Sequence, residues 1–255
     1  MKEIKRKSLL NRSKVEYGDY AVNHLQGCSH GCTFPCYAFL LSRRTGRTKS
    51  YGEWCQPKIV VNALELLEKE IPKKRDKIQC VQLSFMTDPF MYEQPEASAL
   101  SLKIIERLNQ EGIKCSTLTK GVYPADLADT TRYIKDNLYG MSLVSLDERF
   151  RRKYEPHTAT FEDRIKSLKT LHECGLKTWI SIEPYPTRNI IDQNLNILLE
   201  TVDFVDKIVF GRWHYNHIVS QSKDCKAFYN ECADKITQFC KQRDIECYIK
   251  NKTRT

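Results

Sequence analysis

The chain has 255 residues, with 41 Lys plus Arg against 32 Asp plus Glu for a formal net charge of +9; 41% of residues are hydrophobic and 29% charged. That balance excludes a disordered or low-complexity chain and provides for one sizeable core. No run of about 18 apolar residues occurs, which excludes a membrane-spanning helix, and the N-terminal MKEIKRKSLLNRSK is basic without the apolar stretch of a secretory signal.

Residues 1–19 read as a basic segment ahead of a single domain over 20–255. A first strand is predicted near 20–25. It runs into residues 27–39, GCSHGCTFPCYAF, where Cys28, Cys32 and Cys36 fall in C-x3-C-x3-C spacing. Gly27, Gly31 and Pro35 make this a loop able to wrap an inorganic centre. Three close thiols suit an iron–sulfur cluster, with one iron left open. Structural zinc sites favour four ligands in two pairs, so a zinc site here needs His24, His30 or a distant cysteine to complete it. The odd total of 11 cysteines argues against a disulfide scaffold and for a reduced, cytoplasmic protein with some metal-binding thiols.

Downstream, strands and helices alternate. Ile59, Val60, Ala63, Leu64, Leu67 and Ile71 read as one helix face ended by Pro72-Lys73-Lys74-Arg75, and 80–85 as a strand entering Thr87-Asp88-Pro89. Leu100, Ile104, Ile105 and Leu108 mark a helix stopped by Gly112; 115–119 is a strand, 124–138 a helix and 141–146 a strand. Thr160 and Asp163 form a capping box ahead of Phe161, Ile165, Leu168 and Leu171, and Gly175 stops that helix. A strand at 177–183, a helix at 190–200, a strand at 207–210, a helix at 226–241 and a strand at 245–249 complete the pattern. Six or seven strands joined by helices imply an α/β fold with a parallel sheet, either a partial (β/α)6 barrel or an open doubly wound sheet. In both, chemistry belongs at the C-terminal strand ends.

Together these residues resemble the radical S-adenosylmethionine (SAM) superfamily, and within it the spore photoproduct lyase-like group. The loop GCSHGC-x3-CYAF is similar to that group's cluster loop, with one extra residue before the third cysteine. Ser84 to Pro89 (SFMTDP), Leu118-Thr119-Lys120, and SLDERFRRKYEP from Ser145 followed by Arg164 are similar to the group's later segments in the same order. Ile182-Glu183-Pro184 and Phe210-Gly211 also resemble a phage-borne, uncharacterised branch of radical-SAM-like proteins. The resemblance implies a partial (β/α)6 TIM-like barrel. It implies a [4Fe-4S] cluster on Cys28, Cys32 and Cys36 that binds SAM, takes an electron from an external donor, and yields a 5′-deoxyadenosyl radical that abstracts hydrogen from a substrate. It implies an aromatic contact to adenine from Phe34 or Tyr37, a cation for the SAM carboxylate at Lys120, and polar contacts from Ser84, Thr87, Asp88 and Ser145. Arg164 either pairs with Glu155 to hold its loop or reaches the carboxylate; Glu183 faces ribose or substrate. Phe85 and Met86 stand where the lyase carries its hydrogen-donating cysteine, so thymine-dimer repair by that route is not implied.

Cys225, Cys232, Cys240 and Cys247 recur at helical spacing and read as core residues, with an auxiliary cluster as the alternative. Arg212-Trp213-His214-Tyr215-Asn216-His217 forms a basic and aromatic cluster after the last barrel strand. Basic runs occur at 5–7, 43–49, 73–75 and 149–153; the run at 73–75 ends a helix, while those at 43–49 and 149–153 lie beside cluster-face loops and, with the net charge and the resemblance to the lyase-like group, point to a nucleic acid or nucleotide substrate. A protein or peptide substrate, and a non-catalytic iron–sulfur or zinc protein acting through a protein partner, remain open alternatives.

Overall fold

A computed structural model describes residues 1–13, 15, 17–33 and 36–254. In chain order its elements are β1 (Lys2–Ile4), β2 (Leu10–Arg12), β3 (Tyr20–Val22), β4 (Leu25–Gln26), α1 (Tyr37–Arg44), α2 (Tyr51–Trp54), β5 (Lys58–Val60), α3 (Ala63–Lys74), β6 (Cys80–Leu83) and α4 (Pro95–Gln110). They continue as β7 (Lys114–Thr119), β8 (Leu138–Ser142), α5 (Glu148–Tyr154), α6 (Phe161–Glu173), β9 (Lys177–Tyr185), α7 (Leu195–Thr201), β10 (Lys207–Arg212), α8 (His217–Ser220), α9 (Cys225–Arg243) and β11 (Glu246–Ile249).

Among the described residues the main sheet has eight strands in the order β11-β10-β9-β8-β7-β6-β3-β2. Every neighbouring pair is parallel except β2 with β3. Among the described residues the edge strands β2 and β11 do not pair, so the barrel is not closed. The near-sequential order follows from right-handed strand–helix–strand crossovers. Local signals act where expected: Thr160 Oγ1 accepts from Asp163 N at 3.1 Å to start α6, and Gly175 (φ +78°) ends it in the left-handed region.

Tyr139, Met141, Ile180, Ile182, Ile208 and Phe210 pack with Leu168, Leu171, Leu195 and Leu198 of the helices in one buried core. Strand alternation therefore turns Gly140, Trp179, Ser181, Glu183 and Gly211 to the opposite, concave face. There the Trp179 ring stacks on Tyr17 at 4.9 Å, and Lys250 Nζ lies 5.3 Å over the same Tyr17 and 2.6 Å from Glu183 Oε2. Glycine is needed below these groups: a Cβ on Gly140 would stand 2.1 Å from the Trp179 ring, and one on Gly211 2.7 Å from the Glu183 carboxyl carbon.

Several predicted boundaries need correction. Residues 58–60 are strand rather than helix, because β5 is the centre of a second, three-stranded sheet in the order β1-β5-β4. The strand predicted at 20–25 is split between the two sheets. The helix predicted at 124–138 shrinks to a single 3-10 turn, Ala125–Ala128. Asp129 Oδ1 accepts from Thr131 N at 3.0 Å and from Thr131 Oγ1 at 2.6 Å, a local alternative to helical hydrogen bonding. The cleft left there, about 470 Å³, is walled by Tyr92, Val122, Tyr123, Ser167 and Leu171. The strand expected at 141–146 lies earlier, at β8. α3 runs past Pro72 to Lys74, and α7 starts at Leu195. In the first segment β1 pairs with β5 and β2 with β3, and Leu9 and Leu10 are 1% exposed. Cys232 and Cys240 are buried in the core, and no described group of three His, Cys, Asp or Glu side chains is set to hold a metal ion there or elsewhere.

Gly140→Ala is expected to cost about 1–3 kcal/mol through overpacking against Trp179. For a chain of this size that lowers the melting temperature by about 2–4 °C per kcal/mol. Thermal denaturation of Gly140→Ala with and without Trp179→Phe checks it; the smaller ring should recover part of the loss, since the two sites are in contact.

Candidate functional site

The cysteine loop leaves the small sheet at Gln26 and lies at the C-terminal end of the main sheet. Its entry is fixed by backbone: Cys28 N donates to Trp54 O at 2.9 Å. Gly27, at φ +85°, leaves no room for a Cβ, which would stand 2.6 Å from Trp54 O. Thr33 N and Oγ1 donate to Tyr154 O at 2.9 Å and Lys153 O at 2.8 Å, tying the loop's far side to the end of α5. Tyr51 OH donates to Cys32 O at 2.8 Å. Cys36 is the N-cap of α1 and makes no side-chain capping bond. Phe34 and Pro35 lie outside the described residues, and with Phe34 goes one of the two aromatic candidates.

Two buried histidines are held at the site, His24 just ahead of the cysteine loop and His30 within it. Ser101 Oγ donates to Pro89 O at 2.6 Å, so it accepts from His24 Nε2 at 2.7 Å, and His24 Nδ1 faces Ser84 Oγ at 3.3 Å. His30 Nε2 accepts from Tyr92 N at 2.9 Å, which turns Nδ1–H to Asp88 Oδ2 at 3.5 Å. Burial lowers His24 to about 3 and His30 to about 4, so both are neutral. With both nitrogens of each ring engaged, neither completes a zinc site.

The predicted polar residues take up positions in this scaffold. Thr87 Oγ1 donates to Gly27 O. Asp88, 6% exposed, accepts from Thr119 Oγ1 at 2.6 Å, Lys120 N at 2.8 Å and Phe90 N at 2.9 Å. Ser84 is buried at φ +52°, and its N donates to Val22 O at 2.7 Å. Ser145 Oγ, fully buried, accepts from Asp147 N at 3.1 Å. Ser84, Thr87 and Asp88 join strand exits to one another and to the cysteine loop, whereas Ser145 closes a turn within its own segment.

Lys120, Glu155 and Arg164 form one buried unit. Lys120 Nζ lies 2.5 Å from Glu155 Oε1 and 3.8 Å from Cys32 Sγ. Arg164 Nη2 meets Glu155 Oε2 at 2.9 Å. The same guanidinium donates to Ala159 O at 3.0 Å, Ser142 O at 3.2 Å and the Thr158 hydroxyl. Of the two roles predicted for Arg164, the geometry fits the one that holds the loop. Burial alone would raise Glu155, but Lys120 and Arg164 outweigh it and hold the carboxylate at about 2. Burial works against the Lys120 charge, yet Cys32 and Glu155 keep its ammonium above the usual value.

Tyr37 is 56% exposed and meets Phe85 edge-on at 5.6 Å. Glu183 stands on the concave face with Lys250. Lys250 and Tyr17 sit far from any motif and carry no sequence signal; Trp179 lies just before Ile182-Glu183-Pro184, and the alternation of KTWISIE, which places Trp179 and Glu183 on one face, was the available signal.

The three thiols are partly accessible and feel one another's charge. Burial raises Cys28 well above its ordinary value, and Cys32 to about 12 despite Lys120, so a positively charged centre is what favours their thiolates. Among the described residues no three ligating side chains are gathered as for a single ion. Three thiols along one loop, with a cation at Cys32, are donors of the type an iron–sulfur centre takes.

The family model of the Radical SAM superfamily matches residues 22–196. An uncharacterised protein, ORF301, of Acidianus two-tailed virus is 26% identical over 206 residues, 75% of this chain and 66% of that protein, so the chain spans slightly less than two thirds of that relative. The uncharacterised MJ0683 of Methanocaldococcus jannaschii is 24% identical over 95% of this chain and 94% of that one. Among solved structures, spore photoproduct lyase complexed with dinucleoside spore photoproduct superposes with TM-score 0.67 at 16% identity, covering 97% of this chain and 80% of the lyase. SuiB of Streptococcus suis bound to S-adenosylmethionine gives TM-score 0.51 at 17% identity, over 72% of this chain and 41% of that one.

Glu155→Gln leaves two cations without their buried counter-charge and is expected to destabilise the fold by about 3–5 kcal/mol. The wild-type contribution has a pH signature. Its folded value of about 2 lies below the ordinary 4.5, so the stability it adds is present above about pH 5 and lost as pH falls from 4.5 to 2. Urea unfolding between pH 7 and pH 2 should show a loss of about 3 kcal/mol in that window that is missing from Glu155→Gln.

Proposed function

The chain belongs to the radical SAM superfamily and is an enzyme of that type; on this premise we propose that Cys28, Cys32 and Cys36 hold a [4Fe-4S] cluster with SAM at its open iron, and that the substrate is a nucleic acid or nucleotide. When bound, these groups supply reductive cleavage of SAM to a 5′-deoxyadenosyl radical that takes a hydrogen atom from the substrate.

The observation that carries the reading is the cation beside the thiols: Lys120 Nζ, held by Glu155, lies 3.8 Å from Cys32 Sγ. A carboxylate ligand placed next to that thiol meets a fixed ammonium, whereas Arg164 is enclosed. The SAM carboxylate is therefore assigned to Lys120 and the positioning of Lys120 to Glu155 and Arg164. Tyr37, exposed at the loop's exit, offers the aromatic face for adenine. The concave face with Glu183 and Lys250 receives the substrate. An external donor supplies the electron. Eleven cysteines with no disulfide among them support a reducing, cytoplasmic setting.

Support for the substrate class comes from charge. Arg43 and Arg44 are exposed at the end of α1, and Arg152 and Lys153 at the end of α5, the two helices that flank the cysteine loop. Spore photoproduct lyase, which shares the fold, is complexed with a dinucleoside in its structure.

Anaerobic reconstitution with iron and sulfide, reduction and addition of SAM should yield 5′-deoxyadenosine. Cys28→Ala should abolish it, and Lys120→Met should weaken SAM binding while leaving cluster absorbance in place. A reconstituted cluster that never cleaves SAM, with or without oligonucleotides, would sink the reading.

A further inference from the structure

We propose that the exits of β10 and β11 form a cradle for the phosphodiester backbone of an unpaired nucleic-acid strand, with Tyr215 as the face on which a base stacks. The inference rests on the nucleic-acid reading of the substrate and names where that substrate is held.

After β10 the chain reads Trp213-His214-Tyr215-Asn216-His217, and after β11 Lys250-Asn251-Lys252-Thr253-Arg254, with no Asp or Glu in either segment. Hydrogen bonds lay the two side by side. Lys250 N donates to Phe210 O at 2.8 Å and Arg212 N to Thr253 Oγ1 at 3.4 Å. Thr253 is fully buried, which anchors the basic tail against the sheet end.

The charges converge. Arg212 ends β10 two residues before His214, and the bonds from Lys250 N to Phe210 O and from Arg212 N to Thr253 Oγ1 bring Lys250 and Lys252 alongside it; burial first, then these three charges, lower the His214 imidazole. Two of the segment's positive groups have acidic partners: Lys250 with Glu183 at 2.6 Å and Arg254 with Asp234 at 2.5 Å. Arg212 instead lies over the Tyr229 ring at 5.5 Å, and its Nε is buried without an acceptor among the described residues. Lys252 is exposed. A guanidinium, an ammonium and a neutral imidazole together present donors and positive charge, which a phosphate oxygen cluster satisfies.

Tyr215 adds what an acidic peptide does not need. It is 91% exposed and sits at φ +58°, a backbone region unusual for an aromatic residue, with its ring 6.0 Å from that of His214. An exposed ring beside a basic track is the arrangement that binds unpaired strands with little sequence preference. The cradle also borders the concave face, since Lys250, which opens its second segment, meets Glu183 there at 2.6 Å. A backbone held at Arg212 and Lys252 leads its neighbouring nucleotide toward the concave face.

Fluorescence anisotropy of the full reconstituted chain with a labelled single-stranded oligonucleotide tests this across a salt series. Wild type should bind with a steep salt dependence. Arg212→Gln with Lys252→Gln should reduce the log–log salt slope by about 1.4, roughly 0.7 for each phosphate no longer neutralised. Tyr215→Ala should weaken binding roughly five- to hundred-fold with the slope unchanged, and Tyr215→Phe should restore it. Lys252 and Tyr215 are exposed, so their single variants keep the fold, and melting temperatures confirm it. If wild type binds and only Arg43→Gln with Arg44→Gln weakens it, the cradle is wrong and the nucleic-acid reading stands. If wild type shows no salt-sensitive binding at low salt, the nucleic-acid reading fails and the cradle with it. If polyglutamate competes as well as an oligonucleotide of equal charge and Tyr215→Ala changes nothing, the cradle binds acidic peptide and the proposal is overturned.

Discussion

The site depends on a buried carboxylate that must be paired. Glu155 is 1% exposed, and an unpaired charge there would be untenable. Its two partners come from different strand exits: Lys120 follows β7, and Arg164 belongs to α6, which follows β8 and α5. Pairing therefore fixes the distance between two crossover units and aims one ammonium at Cys32. A buried ion pair is weak evidence for stability, since its desolvation offsets most of its attraction. Its value here is placement. A lysine on a flexible stem becomes a fixed charge because both its carboxylate and that carboxylate's other partner are rigid.

Asp88 has the same role at the neighbouring exit. It gathers Thr119, the Lys120 backbone and, through His30, the cysteine loop itself. A neutral histidine suits this role: it accepts from Tyr92 and points a hydrogen at Asp88 without adding a charge that the interior must bury. The Thr-Asp-Pro segment was legible as functional from its motif, but its side chains act on the loop by bracing it. That distinction is invisible in sequence, because the same oxygen atoms that bind a ligand also cap a turn.

The strand–helix alternation was legible because buried parallel strands and amphipathic helices have different periods. What escaped was decided by tertiary pairing. The apolar run at 59–71 fits a helix face throughout, yet β5 is claimed as strand by partners from residues 2–4 and 25–26. The basic start of the chain gave no hint of this, since three-residue strands carry too little pattern to read. The span 124–138 failed differently: a helix was expected from Pro124 onward, but Asp129 offered the backbone a nearer partner than the next helical turn.

The extra residue in the cysteine loop looks at first like an argument against a cluster. The bracing says otherwise. Gly27 and Cys28 are held by Trp54 and Thr87, His30 by Asp88 and Tyr92, Cys32 by Tyr51, and Thr33 by two carbonyls at the end of α5. Cys36 is fixed on the other side as the first turn of α1 begins. The insertion falls between Thr33 and Cys36, after every anchor of the first two cysteines and before the helix that carries the third. A one-residue change of length there leaves the ligand count, the cation at Cys32 and both ends of the loop as they are. Spacing is thus the looser constraint on the proposed centre, and the hydrogen bonds that hold the loop to three separate segments are the tighter one.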